Sequence, residues 1–262
     1  MAHRTTATDF FEAPNSESRM GTAQNNADIL QLVRDAQPAP IDARFDGLAY
    51  NNANAIITGE VIARLTGQSY EAAMQRLVFE PAGLGSAVFT RQTQAAELGL
   101  AQPYLPEGFN PARDMRPQPG APVPASYPVL AENALTDSVS MAAGGLYISA
   151  PDLAALGAAT LDDTLLSRDE LTALCTSQVT MPGLVFGLGC GGRIYAPSQR
   201  RWGHNGGAPG VNAELAIFPD QKIVLAVVSN HQMRATPVLR AFESAFFRLN
   251  AESGEGGLII RH

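Results

Sequence analysis

Residues 204–210 read HNGGAPG and stand between the single tryptophan of the chain, Trp202, and two apolar runs. They put a histidine, an amide and two glycines in series at the entry to a strand. Gly206, Gly207, Pro209 and Gly210 are strong loop punctuators, so a tight turn is the plainer reading. Other chemistry-bearing patterns fall away on inspection. "GLGCGG" at 187–192 satisfies G-x-G-x-x-G, but "RIYAPSQRR" follows it instead of a helix, so no helix N-terminus is offered to a dinucleotide phosphate. Lys222 is the only lysine and sits in "DQK", which rules out a Walker phosphate loop. "LGSAV" around Ser86 lacks the glycine that a nucleophile elbow needs. His3, His204, His231 and His262 show no zinc-ligand spacing. Nothing points to a cofactor.

Three short patterns occur in a telling order. Tyr50-Asn51-Asn52 precedes a helix, "AAGGLYISAPDLAAL" (142–156) joins a glycine turn to a capped helix, and "GHNGGAPG" enters a strand. Together they resemble the serine β-lactamase and penicillin-binding-protein superfamily, in particular its class C-like branch with D-Ala-D-Ala carboxypeptidases and β-lactamase-like esterases. That branch carries Y-x-N, then G-G-L-x-S-T-x-x-D-L, then H-[TS]-G or K-T-G; "YEAAMQRLVFEPAGL" (70–84) is similar to its stretch ending in E-P-L-G-M. The resemblance runs from about residue 8 to about 249. It implies attack by a serine on an amide or ester carbonyl and hydrolysis of the acyl-enzyme that results. On that resemblance Tyr50 would help move the serine proton. Its phenol, ordinarily titrating near ~10, needs cations close by to act near neutrality. His204 would take the cationic or donor place beside it. Asn52 would offer its amide to a substrate carbonyl, and Asn205 and Gly206 would line the substrate. The Gly207 N–H would be one of two oxyanion donors, where a side chain would block close approach. Plainer readings stand beside these: Tyr50 as a half-buried phenol, Asn52 as a helix cap, His204 as a surface histidine. Ser140 and Ser149 read as turn and cap residues, not nucleophiles.

Two features depart from the resembled pattern. Asn205 replaces a hydroxyl residue, although its amide can still donate. The S-x-x-K pair, which puts serine and lysine one helical turn apart on one face, cannot be present, because Pro219 stands three residues before Lys222. "AHRTTATDFF" at 2–11 is similar to the segment that follows S-x-x-K, so the expectation is a chain that starts just after the nucleophile. Three readings follow: a serine hydrolase lacking its N-terminal part and inactive as this chain; a non-catalytic relative that binds peptidoglycan-like peptides; and a hydrolase with another nucleophile or a metal.

The elements that must position these residues are legible from periodicity. Ile57, Val61 and Leu65 recur four apart and Gly67 suits a C-cap, which predicts a helix over 54–65. Ser69 opens a second helix through Tyr70, Met74, Leu77 and Val78 that Pro81 closes. Ser149 with Asp152 and Ser167 with Glu170 form capping boxes. "AELAIF" (213–218) alternates and "KIVLAVVS" (222–229) is continuously apolar, predicting an antiparallel pair. Thr236-Pro237 starts a helix whose Leu239, Phe242, Phe246 and Leu249 form one stripe, with a frayed tail over 251–262. Eight prolines in 103–128 read as a surface excursion within one domain. The fold expected is α+β of the β-lactamase/transpeptidase-like type, one domain over 1–262. It would have a helical lobe at about 22–135 and an incomplete antiparallel sheet with a C-terminal helix at about 136–250.

Composition narrows the partners. The chain has 262 residues, 45% of them hydrophobic, enough to bury a core. Its net charge of -7, with no basic stripe, argues against nucleic acid. No apolar run approaches the ~20 residues of a membrane span. The expected partner is a small-molecule or peptide substrate, with self-association through an exposed sheet edge. "MAHRTTATDFFEAP" has no apolar signal region, which leaves a cytoplasmic chain or one whose missing start carries an export signal to the periplasm or beyond. Cys175 and Cys190 could be free thiols or one bridge.

Overall fold

A computed structural model of the chain describes residues 9–36, 51–110, 114, 124–132, 137, 139–176, 179–181, 184–189, 191–194 and 200–253. In chain order the helices are α1 (Ser16–Thr22), α2 (Asn26–Asp35), α3 (Ala53–Thr66), α4 (Tyr70–Met74), α5 (Gln92–Glu97), α6 (Ala150–Ala159), α7 (Arg168–Cys175) and α8 (Ala235–Ser253). The strands are β1 (Val88–Phe89), β2 (Tyr104–Leu105), β3 (Val129–Leu130), β4 (Leu146–Tyr147), β5 (Val179–Met181), β6 (Leu184–Phe186), β7 (Gly191–Ile194), β8 (Arg200–Ala208), β9 (Val211–Phe218) and β10 (Ile223–Ser229).

Local chemistry explains most helix ends. Gly67 closes α3 in the left-handed conformation, φ 65°, which glycine adopts without a Cβ penalty. Ser69 accepts the Ala72 N–H at the start of α4, which runs on through a π turn over Gln75–Phe79 to Pro81. Ser149 caps α6, but the expected capping box with Asp152 does not form, because Ser86 donates to the Asp152 carboxylate and its Oγ accepts the Ser149 N–H; Ser167 with Glu170 does close a reciprocal capping box on α7. Ser140 is fully buried, its hydroxyl 2.8 Å from the Thr90 carbonyl and 2.7 Å from that of Gly145, which suits the turn role expected of it.

The main sheet has the order β10-β9-β8-β7-β6-β5, antiparallel throughout. The predicted hairpin is β9·β10, with Phe218 opposite Ile223. Alternation then sends each face to a different helix. Gly157 of α6 lies against Val224 and Leu215, so close that an added Cβ would meet Val224 at 2.6 Å. Ala216 and Phe218, on the other face, pack with Leu239 of α8, Leu225 and Phe247. A separate helical core joins Phe10, Met20, Ile29, Leu32 and Ile56 to Met141. The fold is therefore α+β. The described ends of the proline-rich excursion meet as β2·β3, and Tyr104 donates to the carbonyls of Gly210 and Asn230, tying its base to the β8–β9 turn.

Two expectations about α8 need correction. Phe242 does not cover the sheet: it is 58% exposed, and Glu243 takes the inward place because a buried arginine, Arg201, lies across from it. The helix also continues to Ser253, since Ala251 and Glu252 favour helix and the first glycine comes at 254. Residues 254–262 and the side chain of Leu249 lie outside the described residues. Cys175 is disulfide-bonded; Cys190, the other cysteine, lies outside them too.

Candidate functional site

β8 changes character at Gly203. Residues 200–203 pair with β7, and Trp202 and Gly203 pair with β9 on the other edge as well, Gly203 standing opposite Gly191 of β7 and Ala216 of β9. From His204 to Ala208 its partner among the described residues is β9 alone.

The inner half is locked. Arg201 is buried and donates to Glu243 of α8 (Nε to Oε1, 2.7 Å) and to Glu214 of β9 (Nη2 to Oε1, 2.6 Å). Burial alone would lower its pKa, but the two carboxylates outweigh burial and raise it. Gly203 has φ +139°, and a Cβ there would lie 2.0 Å from the Leu215 carbonyl oxygen, so only glycine fits. Arg200, at the strand's exposed start, pairs with Asp220.

The outer half carries His204, Asn205, Gly206 and Gly207, all exposed. The His204 Nδ1 lies 2.5 Å from the Asn205 carbonyl oxygen, which turns the ring along the strand. Around Gly206 a Cβ would meet nothing within 4 Å, and at Gly207 it would lie 3.4 Å from the Val211 carbonyl. Buried Asn212 braces this half from beneath, giving its Nδ2 to the Gly206 carbonyl (2.7 Å) and accepting the Thr236 N–H at the start of α8 (3.0 Å). His204 and Gly206 also line a cavity of about 410 Å³ between the sheet, α6 and α7.

The structure thus brings four of the six predicted site residues onto one stretch of strand. Asn52 belongs to another element. It stands at the N-terminus of α3, half-buried, and both its N–H and its Nδ2 donate to Asp9 Oδ2 at 3.0 and 2.9 Å. Asn52 is the N-cap residue of α3 but its side chain makes no cap bond; the Ala53 N–H is accepted instead by Asn51 Oδ1 at 2.7 Å. One of the two Nδ2 hydrogens of Asn52 remains for another acceptor. Tyr50 lies outside the described residues. The sequence reading did not single out Asp9, Asn212 or the Arg201, Glu214 and Glu243 cluster. The one available signal was a glutamate at an inward position of the alternating β9. Among the described residues no group of three histidine, cysteine or acidic side chains is placed to hold a metal ion, and no helix is long and apolar enough to cross a membrane.

Comparison with known proteins fits this geometry. The family model described as Beta-lactamase matches residues 1–247. No curated protein matches the chain significantly. Among solved structures, a penicillin binding protein from Bacillus halodurans superposes with a TM-score of 0.74 at 21% identity, covering 93% of this chain and 70% of that one. The D-amino acid amidase of Ochrobactrum anthropi, complexed with L-phenylalanine, gives 0.66 at 20% identity over 94% of this chain and 71% of its own. An octameric penicillin-binding protein homologue from Pyrococcus abyssi gives 0.62 at 19% over 88% and 48%. The chain therefore spans between 48% and 71% of the length of these structures, and at such identities they show the fold.

Proposed function

The chain belongs to the Beta-lactamase family, and from that premise we propose that the outer half of β8 is one wall of the acyl-transfer cleft of a serine hydrolase acting on an amide or ester. The observation that carries this reading is the exposed stretch 204–207, paired among the described residues with β9, with two adjacent glycines and an imidazole on it. A β-lactam, a D-Ala peptide or a small ester would each lay its scissile carbonyl against such a stretch. When a serine oxygen adds to that carbonyl, the Gly207 N–H stabilises the oxyanion. Tyr50 takes the serine proton and returns it to the leaving nitrogen or oxygen, with His204 in the cationic or donor place beside it. Asn52, Asn205 and Gly206 hold the rest of the substrate by its polar groups.

The serine itself needs a lysine one turn away, and within these 262 residues the only lysine is Lys222, three residues after Pro219. The chain alone therefore forms no acyl-enzyme. It is expected to remain unlabelled by fluorescent penicillin or a fluorophosphonate and to leave nitrocefin and p-nitrophenyl esters intact. Stoichiometric labelling at an internal serine such as Ser140 would overturn this reading. Joining a segment with S-x-x-K ahead of the chain is expected to restore labelling at that serine, and His204→Ala is then expected to slow turnover by about 10²-fold or more with folding retained. The same absence of lysine supports a second reading, a binding module that takes peptidoglycan-like peptides in the retained cleft. That reading predicts saturable peptide binding and no labelling even with the added segment. The outer strand β10, with Val228, Val238 and Phe242 exposed, supports self-association. Sedimentation is expected to show concentration-dependent oligomers, and a monodisperse monomer would contradict it.

A further inference from the structure

Polar groups on β8 account for how a carbonyl would be held, but not for what is attached to it. The cavity of about 410 Å³ that starts at His204, Asn205 and Gly206 continues away from the strand edge between the sheet and the helices α6 and α7. Its walls are apolar: Leu153 and Leu156 from α6, Leu171 and Leu174 from α7, Leu215 and Ile217 from β9. Trp202, next to the locked Gly203, lines it as well. Ligand pockets commonly span about 300–1,000 Å³ and are mostly apolar with a few polar groups at one end, and a dry cavity of about 150 Å³ already accepts a benzene ring. Here His204 and Asn205 put polar groups at the β8 end, and Thr160 and Glu214 are the other polar residues in a lining that is otherwise mostly apolar.

We propose that this cavity is a binding pocket for a bulky apolar group, aryl or branched alkyl, on the carbonyl compound whose polar end meets β8. The substrate class is then narrowed to hydrophobic acyl or aryl-bearing amides and esters. This rests on the reading of β8 as the carbonyl-binding edge. The pocket itself makes a separate demand, that affinity must rise with apolar size whether or not any bond is broken.

Trp202 is the only tryptophan and lines the cavity, so its emission reports occupancy directly. The chain is titrated with butyramide, hexanamide and phenylacetamide, neutral amides that need no turnover. The expected result is a saturable Trp202 response with affinity rising about fourfold per added methylene. Two cavity-filling variants on different walls, Ala213→Phe and Leu174→Phe, are each expected to weaken hexanamide binding tenfold or more, with cooperative melts verifying that they fold. Affinity that does not depend on apolar size, or folded filling variants that bind as well as the parent, would overturn the pocket. The outcomes also separate it from the hydrolase reading. Size-dependent binding with no labelling after S-x-x-K is supplied retains the pocket and removes the hydrolase. Restored labelling without size-dependent binding retains the hydrolase and removes the pocket.

Discussion

The two halves of β8 share one strand but answer to opposite demands. Residues 200–203 all pair with β7, Trp202 and Gly203 with β9 as well, and they hold a buried ion cluster and include a glycine with no room for a Cβ, whereas 204–207 are exposed, pair among the described residues with β9, and include a glycine with open space around it. The inner half fixes where the outer half points, through Arg201 to α8 and Gly203 to β9. A glycine is needed in both, at Gly203 for lack of space and at Gly206 and Gly207 to leave access.

Substitutions can break or sharpen that contrast. Arg201→Leu leaves Glu214 and Glu243 buried without their cation and is expected to cost about 3–5 kcal/mol in urea unfolding. Gly203→Ala forces a Cβ onto a backbone carbonyl and a positive φ onto alanine, for an expected loss of about 2–3 kcal/mol. Asp220→Asn removes the exposed partner of Arg200 and is expected to cost less than about 1 kcal/mol. The hydrogen bond from Arg200 holds the Asp220 carboxyl below its ordinary 3.8. This small contribution is present above pH 3.8 and is lost as the pH falls through the lowered value, so parent and variant melts are expected to converge in acid. Gly206→Ala is expected to change stability by no more than about 0.5 kcal/mol. A loss there comparable to that at Gly203 would erase the distinction between the halves.

What the sequence revealed and what it hid divide along the range of the interactions. The caps at Ser69, Ser149 and Ser167 were legible because each bonds within three residues, and β9·β10 because alternation and apolar runs are local patterns. The exchange of Phe242 for Glu243 on the inner face of α8 was not, because it depends on Arg201, 42 residues earlier. The hold of Asp9 on Asn52 spans 43 residues and leaves no local trace. Gly203 went unremarked because its need for glycine comes from the facing Leu215 carbonyl, not from a turn. The order of Tyr50-Asn51-Asn52, the glycine turn at 144–145 and HNGG gave the family before any geometry, yet it could not give the exposure and the pairing with β9 that make 204–207 the candidate wall.

The central claim, that this outer half is the substrate-facing edge, is tested most directly by following backbone amide shifts of the isotope-labelled chain as acetyl-D-alanyl-D-alanine is added. The account predicts saturable shifts at His204, Asn205, Gly206 and Gly207, with the Arg201 amide unmoved. Saturable shifts elsewhere with 204–208 unchanged would contradict it.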